Sequence, residues 1–158
     1  MEEVKIRITS VSYEVEASLF TDDEEIGGEL APIPENQPRA MEISLFGRRE
    51  VKDGRMEIVY SEDSSTGLEG SETAISYAEV DRGVVTMIRE GAVSTALVFE
   101  AGKRHHSVYN TPFMPFTVCV HTLTVSNRLD SDGILELDYI VEIRGAQAER
   151  TKFKLELL

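Results

Sequence analysis

Residues 84–111, VVTMIREGAVSTALVFEAGKRHHSVYNT, hold three strand-like runs in succession, separated by Glu90-Gly91 and Ala101-Gly102. Each alternates apolar and other residues with a period of two, the mark of a half-buried strand rather than a helix. Extending the face set by Val85 and Met87 brings Arg89 onto the same side. Leu97 and Phe99 share one face of the second run. In the third, Tyr109 shares a face with Ser107 and His105, whereas Arg104, His106 and Val108 take the other. The adjacent histidines therefore point to opposite sides and do not chelate one metal together.

The same pattern extends in both directions from this stretch. Downstream, 116–129 is a long β-rich run ended by Asp130-Ser131-Asp132-Gly133. Leu135, Leu137, Tyr139, Val141 and Ile143 then alternate with Glu136, Asp138 and Glu142, with Ile140 out of place on the polar side. Gly145 turns the chain into Phe153, Leu155 and Leu157. Upstream, Asp53-Gly54 is a strong hairpin signal between Met41-Ile43-Leu45 and Met56-Ile58-Tyr60, and a further turn is expected at Asp81-Arg82-Gly83. In the first strand the apolar parity switches from Val4, Ile6 and Ile8 to Val11, Tyr13 and Val15, which reads as a β-bulge bending a long strand. Nine or ten antiparallel strands with one apolar face each require a sandwich or a barrel. Hairpin connectivity throughout favours the single up-and-down barrel, spanning 1–158 as one domain.

Residues 21–38, TDDEEIGGELAPIPENQP, interrupt the pattern with six carboxylates, three prolines, and no Lys or Arg. Clustered like charge and proline oppose ladder pairing, so this is expected to be a disordered or solvated loop, with a functional lid as the alternative. Over the whole chain 16 basic residues face 29 acidic ones, a net charge of −13. Phosphate backbones and anionic membranes repel such a surface, so neither nucleic acid nor membrane is an expected partner. A lone cysteine, Cys119, excludes an internal disulfide, and no apolar run reaches the roughly 18 residues of a membrane span. With an N-terminus lacking the apolar core of a signal peptide, the expectation is a soluble cytoplasmic protein. Oligomeric state is not legible.

Four short motifs occur in order: Tyr60-x-Glu62, Thr66-Gly67-Leu68-Glu69-Gly70, Arg89-x-Gly91 and Tyr109-x-Thr111-Pro112. Together they resemble the YwiB-like family of small bacterial proteins, from Met41 to the C-terminus. The resemblance implies a calycin-like (lipocalin-type) β-barrel and a bacterial cytoplasmic setting, and it implies no activity. Two features depart from the family pattern. Phe113 is followed by Met114 and Pro115 where the family places a glycine, and the acidic loop looks like an insertion. The chain has no tryptophan, so the lipocalin tryptophan signature and secreted-lipocalin function do not carry over.

Several constellations bear on chemistry. Glu62 extends the inward face of Met56, Ile58 and Tyr60, and so would stand near Arg89 at one end of the barrel. A buried guanidinium must be paired or must bind an anion. One reading is a Glu62–Arg89 salt bridge plugging the barrel. The other is an anion clamp in which Arg89 anchors charge, Tyr109 donates a hydrogen bond and Glu62 orients the arginine, with Tyr60, Met87, Leu97 and Phe99 lining the cavity. Cys119 and His121 share a face, with His105 on the neighbouring strand a candidate third ligand, but the spacing matches no zinc motif, and no metal or cofactor is expected. The glycines of 66–70 lack the lysine and strand-to-helix context of a phosphate loop. Glu14 and Glu16 are similar to the acidic pair of a polyphosphate tunnel, yet fall on the polar side of their strand.

The expected function is thus noncatalytic binding of a small, mostly apolar anion inside the barrel. The alternative is an interaction or regulatory module with a filled barrel and a basic partner on the acidic loop. Third comes a hydrolase or isomerase with acid–base groups at the barrel mouth. An interior cavity of roughly 300 Å³ or more would favour the first.

Overall fold

The fold was obtained as a computed structural model, which describes residues 2–15, 38–61, 70–91, 93–112, 114–143 and 148–158. Ten strands follow in chain order: β1 (Glu2–Val15), β2 (Arg39–Lys52), β3 (Arg55–Ser61), β4 (Glu72–Ala78), β5 (Asp81–Glu90), β6 (Thr95–Glu100), β7 (Arg104–Tyr109), β8 (Phe116–Arg128), β9 (Ile134–Ile143) and β10 (Ala148–Leu157). There is no helix among the described residues. One antiparallel sheet holds all ten in the order β6-β5-β4-β3-β2-β1-β10-β9-β8-β7. Every chain neighbour is thus a ladder neighbour except β6 and β7, which are the two edges, while β1 and β10 close the sheet between the chain ends. This is the up-and-down all-β barrel expected from the alternation, consistent with the calycin-like barrel that the resemblance implies.

The barrel is nearly closed. Along the seam between the edges, Ser94 and Asn110 exchange both backbone hydrogen bonds at 2.9 Å. The Ser107 hydroxyl donates to the Ala96 carbonyl, and His105 Nε2 meets Glu100 Oε1 at 3.2 Å. Farther along, Asn127 donates to the Arg82 carbonyl, and Asp130 accepts from both Arg82 and the Tyr77 hydroxyl.

The core is the inward row of every strand. Ile6, Ile8, Met56, Ile58, Ile75, Tyr77, Val85, Leu97, Phe99, Leu135, Leu137 and Leu155 are all essentially sealed from solvent and belong to one cluster. Asp53 and Gly54 both take positive φ (53° and 77°), the two-residue hairpin geometry that an Asp-Gly pair permits. The hairpin joining β4 and β5 turns at Glu79-Val80, two residues before the expected site, so Asp81–Gly83 already belong to β5.

Two sequence expectations need correction. β1 carries no bulge: its pairing with β10 runs unbroken from Ile6↔Leu157 to Val15↔Ala148. The inward face simply continues through Ser10 and Ser12, while Val15 on the outer face is buried with Ile140 and Ala148 in a second small cluster flanked by Tyr13 and Leu123. The parity of hydrophobicity switched because burial moved from one face to the other. The apparent misfit Ile140 has the same cause. A bulge does occur in β8, where pairing with β9 shifts between Thr122 and Thr124. Glu142, expected to face solvent, also lies on this covered outer face, 2% exposed.

Gly91 is held by close packing. A Cβ there would stand 2.2 Å from the Ser71 hydroxyl oxygen and 2.9 Å from the Ser71 Cα. The contact sets Gly91, which closes the Arg89-x-Gly91 motif, against Ser71, the residue directly after Gly70.

Candidate functional site

Strand register builds the site from two polar rungs that cross the mostly apolar interior. On one wall, antiparallel pairing places Tyr60 opposite Thr73, Thr73 opposite Arg89, and Arg89 opposite Thr95. On the other, Arg39 stands opposite Ser12, Ser12 opposite Thr151, Thr151 opposite Tyr139, and Tyr139 opposite Thr122. Cross-strand partners lie only about 4.5–5.5 Å apart, so each rung is a continuous polar band.

Hydroxyls join along the second rung. Ser12 Oγ lies 2.9 Å from Thr151 Oγ1, and Thr151 in turn hydrogen-bonds the Tyr139 phenol. Burial pushes the Tyr139 phenol up to about 12, an effect that neighbouring Tyr109 reinforces and the Arg89 charge opposes. Tyr109, half-buried at the end of β7, is raised for the same first reason, again with Arg89 opposing. Both phenols therefore present a proton across the ordinary pH range and act as hydrogen-bond donors.

Between the rungs lies a cavity of about 220 Å³. Its apolar surface comes from Ile8, Met41, Ile43, Met87 and Phe153, and its polar surface from Ser10, Ser12, Tyr60, Arg89, Tyr139, Glu149 and Thr151. Glu149 is bound to Arg39, and these two side chains are 36% and 71% exposed, marking the mouth. Arg89 and Tyr60 each have interaction partners already.

Of the residues singled out from sequence, Arg89, Tyr60 and Met87 line this cavity. Tyr109 stands near enough to feel the Arg89 charge. Leu97 and Phe99 are placed deeper: they pair with Met87 and Val85, are 3% and 0% exposed, and Phe99 packs on Tyr139 with ring centroids 4.6 Å apart. They wall the core rather than the cavity. Glu62, residues 66–69, Glu16 and most of the acidic 21–38 loop lie outside the described residues. Glu14 has the inward parity of Ser10 and Ser12 and pairs with Glu149, contrary to the outward placement expected of it. Sequence reading missed Ser10, Ser12, Thr151 and Glu149; the available signal was hydroxyl residues replacing aliphatic ones at inward parity in two strands that the meander makes neighbours.

The chain belongs to the DUF1934 family. That family's model, described as a domain of unknown function, matches residues 32–155, most of the chain. The chain also resembles the crystal structure of the ywiB protein from Bacillus subtilis, at 19% identity and a TM-score of 0.65, over 99% of this chain and 93% of that one. At this identity the likeness speaks to the fold, which it supports over nearly the full length. A comparison with curated proteins finds no match. The YwiB-like resemblance read from the short motifs is thereby borne out.

A second polar group lies on the covered outer face. Glu142 pairs with Arg104 at 3.2 Å, the two side chains being 1% and 16% exposed. Cys119 stands opposite Glu142, and His121 opposite Arg104. Burial, with Glu142 assisting, raises the Cys119 thiol; burial and the Arg104 charge lower His121. A thiol so placed is a poor nucleophile. His105 does not reach this group, because it faces the other side of β7 opposite Val120 and meets Glu100. No set of three His, Cys, Asp or Glu residues among those described is placed to hold a metal ion. Among the described residues no helix is long and apolar enough to cross a membrane.

Proposed function

We propose that this chain is a noncatalytic binding protein that takes up a small, mostly apolar anion between the two polar rungs. The observation that carries this reading is the cavity at Arg89, with a guanidinium on one side, the Tyr139 phenol and the Ser10, Ser12 and Thr151 hydroxyls on the other, and aliphatic surface between. A guanidinium has five N–H donors, so Arg89 can keep its protein partner and still grip a carboxylate or phosphate oxygen. Tyr139 would add a donor and Tyr109 a second near the seam. Glu62, which follows β3 in the sequence, would orient Arg89. At about 220 Å³ the cavity falls short of the roughly 300 Å³ expected of a ligand site, so volume does not itself favour binding; the reading rests on the polar lining and restricts the ligand to a short chain or a single ring. A free, buried Cys119 suits a reducing cytoplasm.

The test is a thermal-shift and calorimetric titration with butyrate, hexanoate, benzoate and short alkyl phosphates, against wild type and Arg89→Gln. Binding that Arg89→Gln weakens by about ten- to a hundredfold, the worth of a charge-assisted hydrogen bond, supports the reading. Anion binding indifferent to that substitution sinks it.

One observation favours the interaction-module alternative. Phe46, 65% exposed, edges an outer-wall groove of about 330 Å³ that it shares with Glu3, Arg48, Val59 and Glu72. Loss of a partner on Phe46→Ser, with the interior unoccupied, would favour that reading instead.

A further inference from the structure

We infer that the ligand is a zwitterion, a small amino acid whose ammonium and carboxylate stand at opposite ends of a short apolar chain, rather than a simple anion. This inference rests on the binding function proposed above and narrows its ligand class. Arg89 lies on β5 and Glu149 on β10, and in the strand order these are five steps apart in either direction around the ten-stranded wall. The cation and the carboxylate that line the cavity therefore face one another across it, with Ile43, Met87 and Phe153 between. A simple carboxylate would satisfy Arg89 and leave its apolar end against Glu149, where a carboxylate gains nothing from a methyl group. An amine carried by the same molecule meets that carboxylate instead.

The existing partner of Glu149 does not stand in the way. Arg39 is largely exposed, and a solvent-screened ion pair of that kind contributes little. A carboxylate has two oxygens and accepts from Arg39 and an ammonium together. The Ser12 and Thr151 hydroxyls lie near Glu149 along the same wall and supply the remaining polar contacts. Glu14, opposite Glu149, adds negative potential at the mouth. The walls thus attract opposite charges at the two ends of one small molecule, which also disfavours simple anions of the same length through repulsion at the mouth.

The experiment is calorimetric titration of the full chain with four six-carbon probes: hexanoate, hexylamine, 2-aminohexanoate and 6-aminohexanoate. 6-Aminohexanoate should bind about tenfold or more tightly than hexanoate, hexylamine and 2-aminohexanoate. Glu149→Gln should bring 6-aminohexanoate down to the affinity of hexanoate, while hexanoate binding holds or improves. Arg39→Gln breaks the same ion pair but keeps the carboxylate, and should retain the preference. Hexanoate binding as tightly as 6-aminohexanoate overturns the inference and leaves the anion reading standing; 2-aminohexanoate binding as tightly overturns the placement of the two charges at opposite walls. Loss of the preference in Arg39→Gln as well as Glu149→Gln also overturns it, because the ion pair and not the carboxylate would then be responsible. Binding by none of the four removes the inference together with the anion reading.

Discussion

Filling the cavity should stabilise the protein while abolishing its capacity to bind, and Ser10→Leu is the substitution that tests this. Ser10 lines the cavity from β1, between Met41 on β2 and Phe153 on β10. Leucine replaces the hydroxyl with three apolar carbons. At about 0.8 kcal/mol per buried methylene the gain is at most about 2.4 kcal/mol. Ordering the longer side chain costs about 0.5–1 kcal/mol, and burial near a cavity open at its mouth is incomplete. The expected net is about +1 kcal/mol, which for a chain of this size is about 2–4 °C in Tm. Urea denaturation followed by circular dichroism reads the midpoint, with the slope expected to stay unchanged. If the interior were packed, the added carbons would have no space, and overpacking would cost about 1–3 kcal/mol. A destabilisation of that size refutes the cavity and the ligand reading with it. A stabilised variant that still binds the same ligand as wild type refutes the position of the site.

Three further outcomes follow from the packing. Tyr139 has its phenol raised from 10.0 to about 12, so its contribution to stability is complete below pH 10 and is lost as pH rises towards 12. Two pH units correspond to about 2–3 kcal/mol, read as a falling urea midpoint that Tyr139→Phe should flatten. Gly91→Ala should cost about 1–3 kcal/mol, because the new methyl meets the Ser71 backbone as well as its side chain; Ser71→Gly should restore part of the loss, and a neutral Gly91→Ala would contradict the close approach. Arg104→Ala should destabilise by about 3–5 kcal/mol by stranding Glu142, whereas the double variant Arg104→Leu/Glu142→Leu should return to within about 1 kcal/mol of wild type in a double-mutant cycle.

The barrel was legible because alternation at period two reports a sheet with one buried face, and the hairpin turns carry their own chemistry, as at Asp53-Gly54. Alternation reports burial, however, and not direction. At Val15 and Ile140, with Tyr13 packed against them, the outer face is buried, so the pattern inverted without any change in the strand. Glu142 misled for the same reason, since a carboxylate paired with Arg104 beneath a covered face looks like a solvent residue in one dimension. Arg89 could be placed because Val85 and Met87 fix its parity within its own strand. The rung that faces it could not, because Ser12, Thr151 and Tyr139 meet only through the pairing of β1 with β10 and of β10 with β9, and the first of these joins residues 139 positions apart. Motif glycines such as Gly91 read as turn formers when taken singly, and their packing role emerges only once Ser71 is brought alongside.

Native mass spectrometry of the protein purified gently from its own cells tests the binding function most directly. Wild-type protein should carry a small adduct, released on acid denaturation, that is absent from Arg89→Gln and from Ser10→Leu prepared in the same way. Wild-type protein that is bare, or an adduct that Arg89→Gln retains undiminished, would contradict a ligand held at Arg89.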